Sequence, residues 1–526
     1  MLKIVGAAFF SAAVVAVGLS ANAANAVNTT AGIAVDSKSK SDGEIVVNDG
    51  VARGPIKIVN AVNGCPVGGE AVAAWKAAEI PFARTHDLNL SHSYGAPYVI
   101  DIPWIFRDFD ADENDPKSYD FTCTDALLQR IRDTGCEPFY RLGGAYESRL
   151  VKKYNIYPPK DFAKWARICE HVIAHYNEGW ADGFRWNIRY WEIWNEPDLR
   201  TESKGEENGT FWRGSRGEFV RLFKTTLKHL KARYPHLKFG GPAVSGSFGW
   251  VDQFLAEFAK EDVPLDFFSW HGYCTEPKGY IRTAKAAREM LDRHGYVKTE
   301  SINNEWNYIK GWDSWSRAYS MEVEKGRFNQ KGAAFLAAAF CCWQDSVADM
   351  VMYYDARQPG MNALFDAVTG LPMRGYYPFL IWKDLRHLGT QVEATTKMKG
   401  IYVTAAKNEA GKLGIFIVRY SDDNNVVRPT RVTVRFGSGR SLAAAKLHLT
   451  DDVRIHTASY FEANADGSVD LVLRPCSFAF LELDGCLVAG PTVGAMSVRN
   501  IGPDSRDGFN RAGTSSLVRR SHHLQH

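Results

Sequence analysis

Arg189-Tyr190-Trp191-Glu192-Ile193-Trp194-Asn195-Glu196-Pro197-Asp198 is the stretch from which the rest of the chain can be ordered. Aromatic and β-branched residues favour an extended strand, and Pro197 stops it, so a strand over Ile188–Trp194 ends beside a carboxylate. Simple alternation puts Glu192, Trp194 and Glu196 on one side and Trp191, Ile193 and Asn195 on the other. Downstream, 216–233 carries apolar residues at helical spacing, and Leu237–Gly241 reads as a strand again. The same rhythm extends in both directions. Strands are expected at Ile56–Val62, Phe82–His86, Glu137–Leu142, Asp266–Tyr273, Glu300–Trp306 and Met350–Asp355. Helices are expected at 69–79, 122–134, 161–177, 250–260, 281–295, 328–340 and 376–388.

Eight strand-then-helix units within 51–390 are the pattern of an α/β (β/α)8 TIM barrel. A doubly wound sheet would want a Gly-rich phosphate turn after its first strand. The turn here, Asn63-Gly64-Cys65-Pro66-Val67-Gly68-Gly69, lacks the G-x-G-x-x-G spacing. Beyond 390 the rhythm changes to short alternating strands joined by Asp, Asn and Gly turns: Ile401–Lys407, Leu413–Tyr420, Arg431–Phe436, Ala445–Leu449, Val453–Tyr460 and Val469–Leu483. These predict an antiparallel β-sandwich over 391–488. Residues 489–526 are Gly-, Ser- and Arg-rich without periodicity and are expected to be disordered.

The first 26 residues read as an export signal. Lys3 precedes an apolar run, Ile4–Leu19, followed by the small-residue sites Ala21-Asn22-Ala23 and Ala24-Asn25-Ala26. The run is short for a membrane span, which needs ~20 residues, and an uncleaved anchor is the alternative. The expected mature chain is periplasmic, extracellular or at the cell surface. Residues 27–50 form a polar leader with one short strand, Glu44–Val47. Nine cysteines, an odd number without C-x-x-C or Cys/His zinc spacing, fit an exported protein that needs few bridges. Net charge is +3, which gives no field for nucleic acid or anionic lipid. Hydrophobic residues at 45% exclude wholesale disorder.

In such a barrel the reactive groups sit at the C-terminal ends of the strands. Glu196 ends the fourth strand and Glu305 the seventh, which face each other across the mouth. A paired acid and carboxylate is what cleavage of a sugar acetal requires, because the leaving oxygen must be protonated while the anomeric carbon is attacked or stabilised. Glu192 and Glu300 lie deeper or at the opposite end; Glu192 is expected inside the barrel.

Trp191-Glu192-Ile193-Trp194-Asn195-Glu196-Pro197-Asp198 resembles the acid/base motif of retaining clan A glycoside hydrolases, and in particular family 39, which contains β-xylosidases and α-L-iduronidases. Asn304-Glu305-Trp306-Asn307 is similar to that family's nucleophile segment. Arg84-Thr85-His86 and Trp270-His271-Gly272-Tyr273 match at the ends of the second and sixth strands. The resemblance covers 55–390 in order. It implies Glu196 as acid/base and Glu305 as nucleophile, with Asn195 on the sugar 2-hydroxyl and His271 or Tyr273 holding Glu305. Arg84, His86, Trp306 and Trp343 join the substrate-binding set, the two tryptophans as sugar-stacking surfaces, while Trp165, Trp186 and Trp382 are read as core. Trp104, Trp312 and Trp315 lie in loops expected on the active face.

The implied partner is an oligosaccharide or polysaccharide. No cofactor and no metal are expected, since no H-E-x-x-H or clustered His/Asp set stands at the strand ends. An insertion from Tyr94 to Tyr119 departs from the family and is expected to wall the pocket. Its Asp108, Asp110, Asp112 and Asp115 lack the glycine and the terminal glutamate of a calcium loop, and read as a solvated acidic face. A catalytically silent sugar-binding barrel, a surface scaffold, or a glycosidase for arabinofuranose, glucose, galactose or uronic acid are the alternatives.

Overall fold

The computed structural model describes residues 41–483 except 66–69, 89, 91–97, 147–153, 202–204, 206–207, 262, 312–328, 358–363, 367 and 438–443. The export signal, the C-terminal tail, Trp312, Trp315 and Cys486 therefore lie outside the described residues.

Eight parallel strands close into a barrel: β2 (Ile58–Asn63), β3 (Phe82–Arg84), β4 (Glu137–Leu142), β5 (Tyr190–Ile193), β6 (Lys238–Val244), β7 (Phe267–Cys274), β8 (Glu300–Tyr308) and β9 (Met350–Tyr353). Each is followed by a helix: α1 (Glu70–Ala77), α2 (Thr122–Asp133), α3 (Phe162–Asn177), α4 (Arg216–Arg233), α5 (Phe248–Ala259), α6 (Gly279–Arg293), α7 (Gln330–Gln344) and α8 (Tyr377–Leu388). Local chemistry fixes several starts. Asp161 caps α3 by accepting from the Ala163 and Lys164 amides at 2.8 and 3.0 Å, and Ser215 with Glu218 forms a capping box on α4.

The barrel interior is layered. Ala61, Phe82, Phe139, Tyr190, Phe267, Ile302, Met350 and Met352 form an apolar plug, drawn from seven of the strands. The strand between β5 and β7 contributes glycine instead. A Cβ on Gly240 would stand 2.0 Å from the Phe267 carbonyl oxygen, so no side chain fits there. Arg84, Glu192, Asn195, Ser269 and Asn304 make a separate, fully buried polar layer.

The remaining nine strands form one sheet in the order β15-β14-β17-β12-β11-β10-β1-β13-β16. They are β1 (Gly43–Pro55), β10 (Thr390–Thr396), β11 (Ile401–Lys407), β12 (Leu413–Arg419), β13 (Thr430–Phe436), β14 (Ala444–Thr450), β15 (Thr457–Glu462), β16 (Val469–Leu473) and β17 (Ser477–Leu483). The short strand expected within the polar leader is thus a 13-residue strand that belongs to this sheet. β1 pairs antiparallel with β10 and parallel with β13. Its Ile45 and Val47 enter the same core as Leu413, Ile415 and Leu481, and that shared core is the physical reason it joins strands nearly 400 residues away. The long strand expected over 469–483 breaks in two.

The opposite face of β11, β12 and β17 packs on the barrel through Tyr402, Phe416, Val418, Phe478 and Phe480. Between the two lies α7, apolar on nearly every side, whose run of alanines lets the sheet approach. Buried Lys331 of α7 reaches Asp422 at 2.8 Å and ties the helix to the sheet. Among the described residues eight cysteines are free thiols, and no helix is long and apolar enough to cross a membrane.

Candidate active site

Strict alternation along the fourth barrel strand does not survive. Regular β5 ends at Ile193, and Trp194 and Glu196 take left-handed backbone conformations, with φ of 75° and 44°. Trp194 consequently turns outward, packing 5.2 Å from Trp212 and 6.0 Å from Trp165, with its Nε1 donating to the Phe211 carbonyl. Asn195 and Glu196 both turn into the mouth. The Glu196 amide donates to the Ala243 carbonyl at 2.9 Å, which fixes the backbone behind the carboxyl group.

β8 achieves the same by another route. Trp270 pairs with Asn303 but His271 pairs with Glu305, so Asn304 is an extra residue in the ladder. This bulge lets consecutive side chains point inward: Asn304 donates to Glu192, and Glu305 meets Arg84 and Tyr273.

The two carboxylates meet around one histidine. His271 Nδ1 is 2.8 Å from Glu196 Oε1 and 3.4 Å from Glu305 Oε2, and one oxygen from each glutamate lies within 4.8 Å of the other. The Tyr273 hydroxyl donates to Glu305 Oε2 at 2.8 Å, and Arg84 Nη1 donates to Glu305 Oε1 at 2.8 Å. Of the pair expected to hold Glu305, Tyr273 and not His271 makes the close contact, because the His271 ring nitrogen is nearer Glu196. Arg84 also donates to Glu192 at 2.7 Å, Asn195 at 2.7 Å and Asn63 at 3.1 Å. Asn195 Nδ2 is buried and has no partner among the described residues, so one donor stands free beside the carboxylates.

Their electrostatic settings differ. Burial pushes Glu196 up to about 8, with Asp198 and Asp87 adding to the rise and Arg84 opposing it. Glu305 is also raised by burial, but the Arg84 guanidinium pulls it back. Glu196 therefore holds a proton at neutral pH, while Glu305 has a cation in direct contact with its carboxylate. Burial pushes His271 down to about 4 and His86 down to about 3, so both rings are neutral.

His86 is 2.9 Å from Asp87 and edge-on to Phe211. Asp87 in turn accepts from the Tyr354 hydroxyl at 2.7 Å, and its backbone carbonyl accepts from Arg357. Sequence reasoning missed Asp87, Ser269, Tyr354 and Asn63. Only the adjacency of Asp87 to His86 offered a signal.

Trp306 and Trp343, expected to stack on sugar, do not line the mouth. Both are fully buried outside the barrel wall: Trp343 stacks on Tyr280 at 4.4 Å, and Trp306 packs edge-on against Phe340, Tyr280 and Tyr353. The residue after the inward-facing Glu305 must face outward, and Trp343 sits on the barrel side of α7. Trp165 and Trp382 are buried and Trp186 half-buried, as expected of core residues. Half-buried Trp104 carries Arg107 over its ring at 4.4 Å.

In the described part of the insertion, Asp101 pairs with buried Arg141 of β4 at 2.6 Å. Its acidic residues have protein partners. Asp110 meets Lys160, Glu113 meets Arg167 and Lys164, and Asp108, Asp112 and Asp115 accept from backbone amides two residues on.

The profile of Glycosyl hydrolases family 39 matches residues 60–323, half of the chain. The chain belongs to this family. The matched stretch runs from β2 through β8 and so contains both carboxylates. Among family relatives, the β-xylosidase of Geobacillus stearothermophilus is 31% identical over 207 residues, 37% of this chain and 37% of that protein. The β-xylosidase of Caldicellulosiruptor saccharolyticus is 29% identical over 172 residues, 30% of this chain and 32% of that one. The family 39 chain thus aligns with about a third of the length of these relatives. A glucosidase structure from Croceicoccus marinus superposes with a TM-score of 0.66 at 20% identity, over 84% of this chain and 98% of that one. It shares the fold.

Proposed function

We propose that this family 39 chain is an exported, retaining glycoside hydrolase that acts as a β-xylosidase does on polysaccharide-derived oligosaccharides. The observation that carries the reading is the pairing of Glu196 and Glu305, with oxygens within 4.8 Å and only Glu305 in direct contact with the Arg84 guanidinium. Retaining enzymes place their carboxyl groups about 5–5.5 Å apart, so that one attacks carbon directly, whereas inverting enzymes leave roughly 6.5–9.5 Å for a water.

In the first step Glu305 attacks the anomeric carbon and forms an ester with it, while Glu196 gives its proton to the departing glycosidic oxygen. Arg84 and Tyr273 hold the attacking carboxylate in place, which avoids the entropy cost of orienting it. In the second step Glu196, now ionised, takes a proton from water as the water displaces Glu305. Asn195 Nδ2 is the free donor for a sugar hydroxyl. Export is supported by the apolar Ile4–Leu19 run and the small-residue sites after it. The named β-xylosidases support the choice of sugar.

A panel of aryl glycosides of xylose, arabinofuranose, glucose, galactose, fucose and uronic acids tests this. Fastest release from the β-xyloside is expected, and no release from any member would refute the reading. Mass spectrometry of the mature N-terminus tests export, with a start near Ala24 or Val27 expected.

A further inference from the structure

We propose that Glu192, buried beneath the two carboxylates, is a positioning residue that sets both the placement and the basicity of Glu305. The proposal rests on the glycosidase reading above. Glu192 lies on β5 with its side chain wholly removed from solvent, and it accepts from three donors: Arg84 Nε at 2.7 Å, Ser269 Oγ at 2.6 Å and Asn304 Nδ2.

Each donor continues to the reacting groups. Arg84 spends its other nitrogens on Glu305 Oε1 and Asn195 Oδ1. Ser269 Oγ accepts from the Ala243 amide at 2.9 Å, and the Ala243 carbonyl accepts from the Glu196 amide. Asn304 is the bulge residue that turns Glu305 inward. One carboxylate thereby stands a single residue behind the nucleophile and the sugar-facing asparagine, and two residues behind the acid. A residue with only a packing role would need none of these connections.

The charge arrangement gives Glu192 a second effect. Arg84 is shared between two carboxylates, Glu192 and Glu305, in a buried row. With Glu192 in place, the guanidinium is only partly available to Glu305, which remains basic enough to attack carbon. Without that charge Arg84 would belong to Glu305 alone, lowering its proton affinity and its nucleophilicity together.

The test compares wild type, Glu192→Gln and Glu192→Asp, with kcat and KM followed from about pH 4 to about pH 9. Glu192→Gln keeps the size and removes the charge. Its kcat is expected to fall roughly 10- to 100-fold with KM nearly unchanged, and its acid limb to move down by about one pH unit. Glu192→Asp keeps the charge and shortens the reach, so kcat is expected to fall at least about 10-fold while the acid limb stays in place. An acid limb in Glu192→Gln that superimposes on wild type would overturn the proposal, because a merely structural role lowers activity without moving it. If Glu192→Gln does not fold, Glu192→Asp decides: wild-type kcat, or a moved limb, overturns the proposal.

Carboxyl 13C titration of Glu-labelled protein, with the Glu305 signal assigned by its loss in Glu305→Gln, reads the same shift without turnover. A wild type inactive on every glycoside would thus refute the functional reading, whereas an unshifted Glu305 titration in Glu192→Gln would refute this one.

Discussion

His271 Nδ1 lies 2.8 Å from Glu196 Oε1 and 3.4 Å from Glu305 Oε2, so a single imidazole spans the carboxylates that follow the fourth barrel strand and sit on the seventh. Burial keeps the ring neutral, and a neutral ring can fix the spacing of the pair without neutralising either member. Replacing it removes that fixed spacing. His271→Ala is expected to lower kcat/KM by roughly 100-fold, the size of effect that a misplacement near 1 Å produces. Circular dichroism should show the fold intact, and a variant with near-wild-type kcat/KM would show that the ring is only a bystander.

Glu196→Ala and Glu305→Ala should differ in kind. Loss of the acid should cost roughly 10²–10⁴-fold on poor leaving groups and spare the first step with activated aryl glycosides. Loss of the nucleophile should abolish turnover on both, with azide restoring it and giving product of inverted configuration. Steady-state rates across a leaving-group series, with and without azide, check both expectations.

The pH profile follows from the same pair. Glu196 must be protonated to act as acid, so activity is present below its pKa of about 8 and is lost as pH rises through that value. Glu305 must be ionised, so activity falls at low pH through a pKa held above the ordinary glutamate range. Asp198 pushes Glu196 up, and Asp198→Asn is therefore expected to shift the basic limb of kcat/KM downward.

Stability carries the same signature. A carboxyl raised on folding binds its proton more tightly in the native state, so its contribution is fully present below the unfolded value near 4.5. It is lost as pH rises through about 8. Thermal melts of Glu196→Gln against wild type should coincide near pH 5 and separate at pH 9, with the variant the more stable there. Equal melting differences at both pH values would contradict the assignment of that pKa.

How far the sequence carried the reading depended on whether a feature was periodic. The Glu137–Leu142 strand and the 216–233 helix have the expected bounds because their apolar periods are clean and their ends are marked by turn or capping residues. The carboxylate pair was legible because both members lie toward the C-terminal ends of strand patterns, Glu196 just past β5 and Glu305 in the last half of β8. The side-chain directions around them were not. Left-handed conformations at Trp194 and Glu196, and the extra residue Asn304, reset the alternation just where the site is built. Trp306 and Trp343 misled for a related reason: proximity in sequence to Glu305 or to a strand end does not say which face of its element a ring occupies. The membership of β1 in the C-terminal sheet is a contact across almost the whole chain, which no local pattern encodes.

Those corrections can be tested too. Trp343→Ala should destabilise the protein by about 3–5 kcal/mol, as expected for emptying a buried aromatic site. Trp343→Phe should leave KM for an aryl glycoside within about twofold, since no sugar contact is lost. A large rise in KM with an unchanged melting temperature would instead return Trp343 to the binding site.

The configuration of the first-formed sugar tests the central claim most directly. With an aryl β-xyloside, proton NMR recorded before mutarotation should show the β-anomer appearing first, because attack by Glu305 and then by water inverts the anomeric carbon twice. An α-anomer formed first would mean a single displacement, and would contradict Glu305 as a nucleophile held within 4.8 Å of its acid partner.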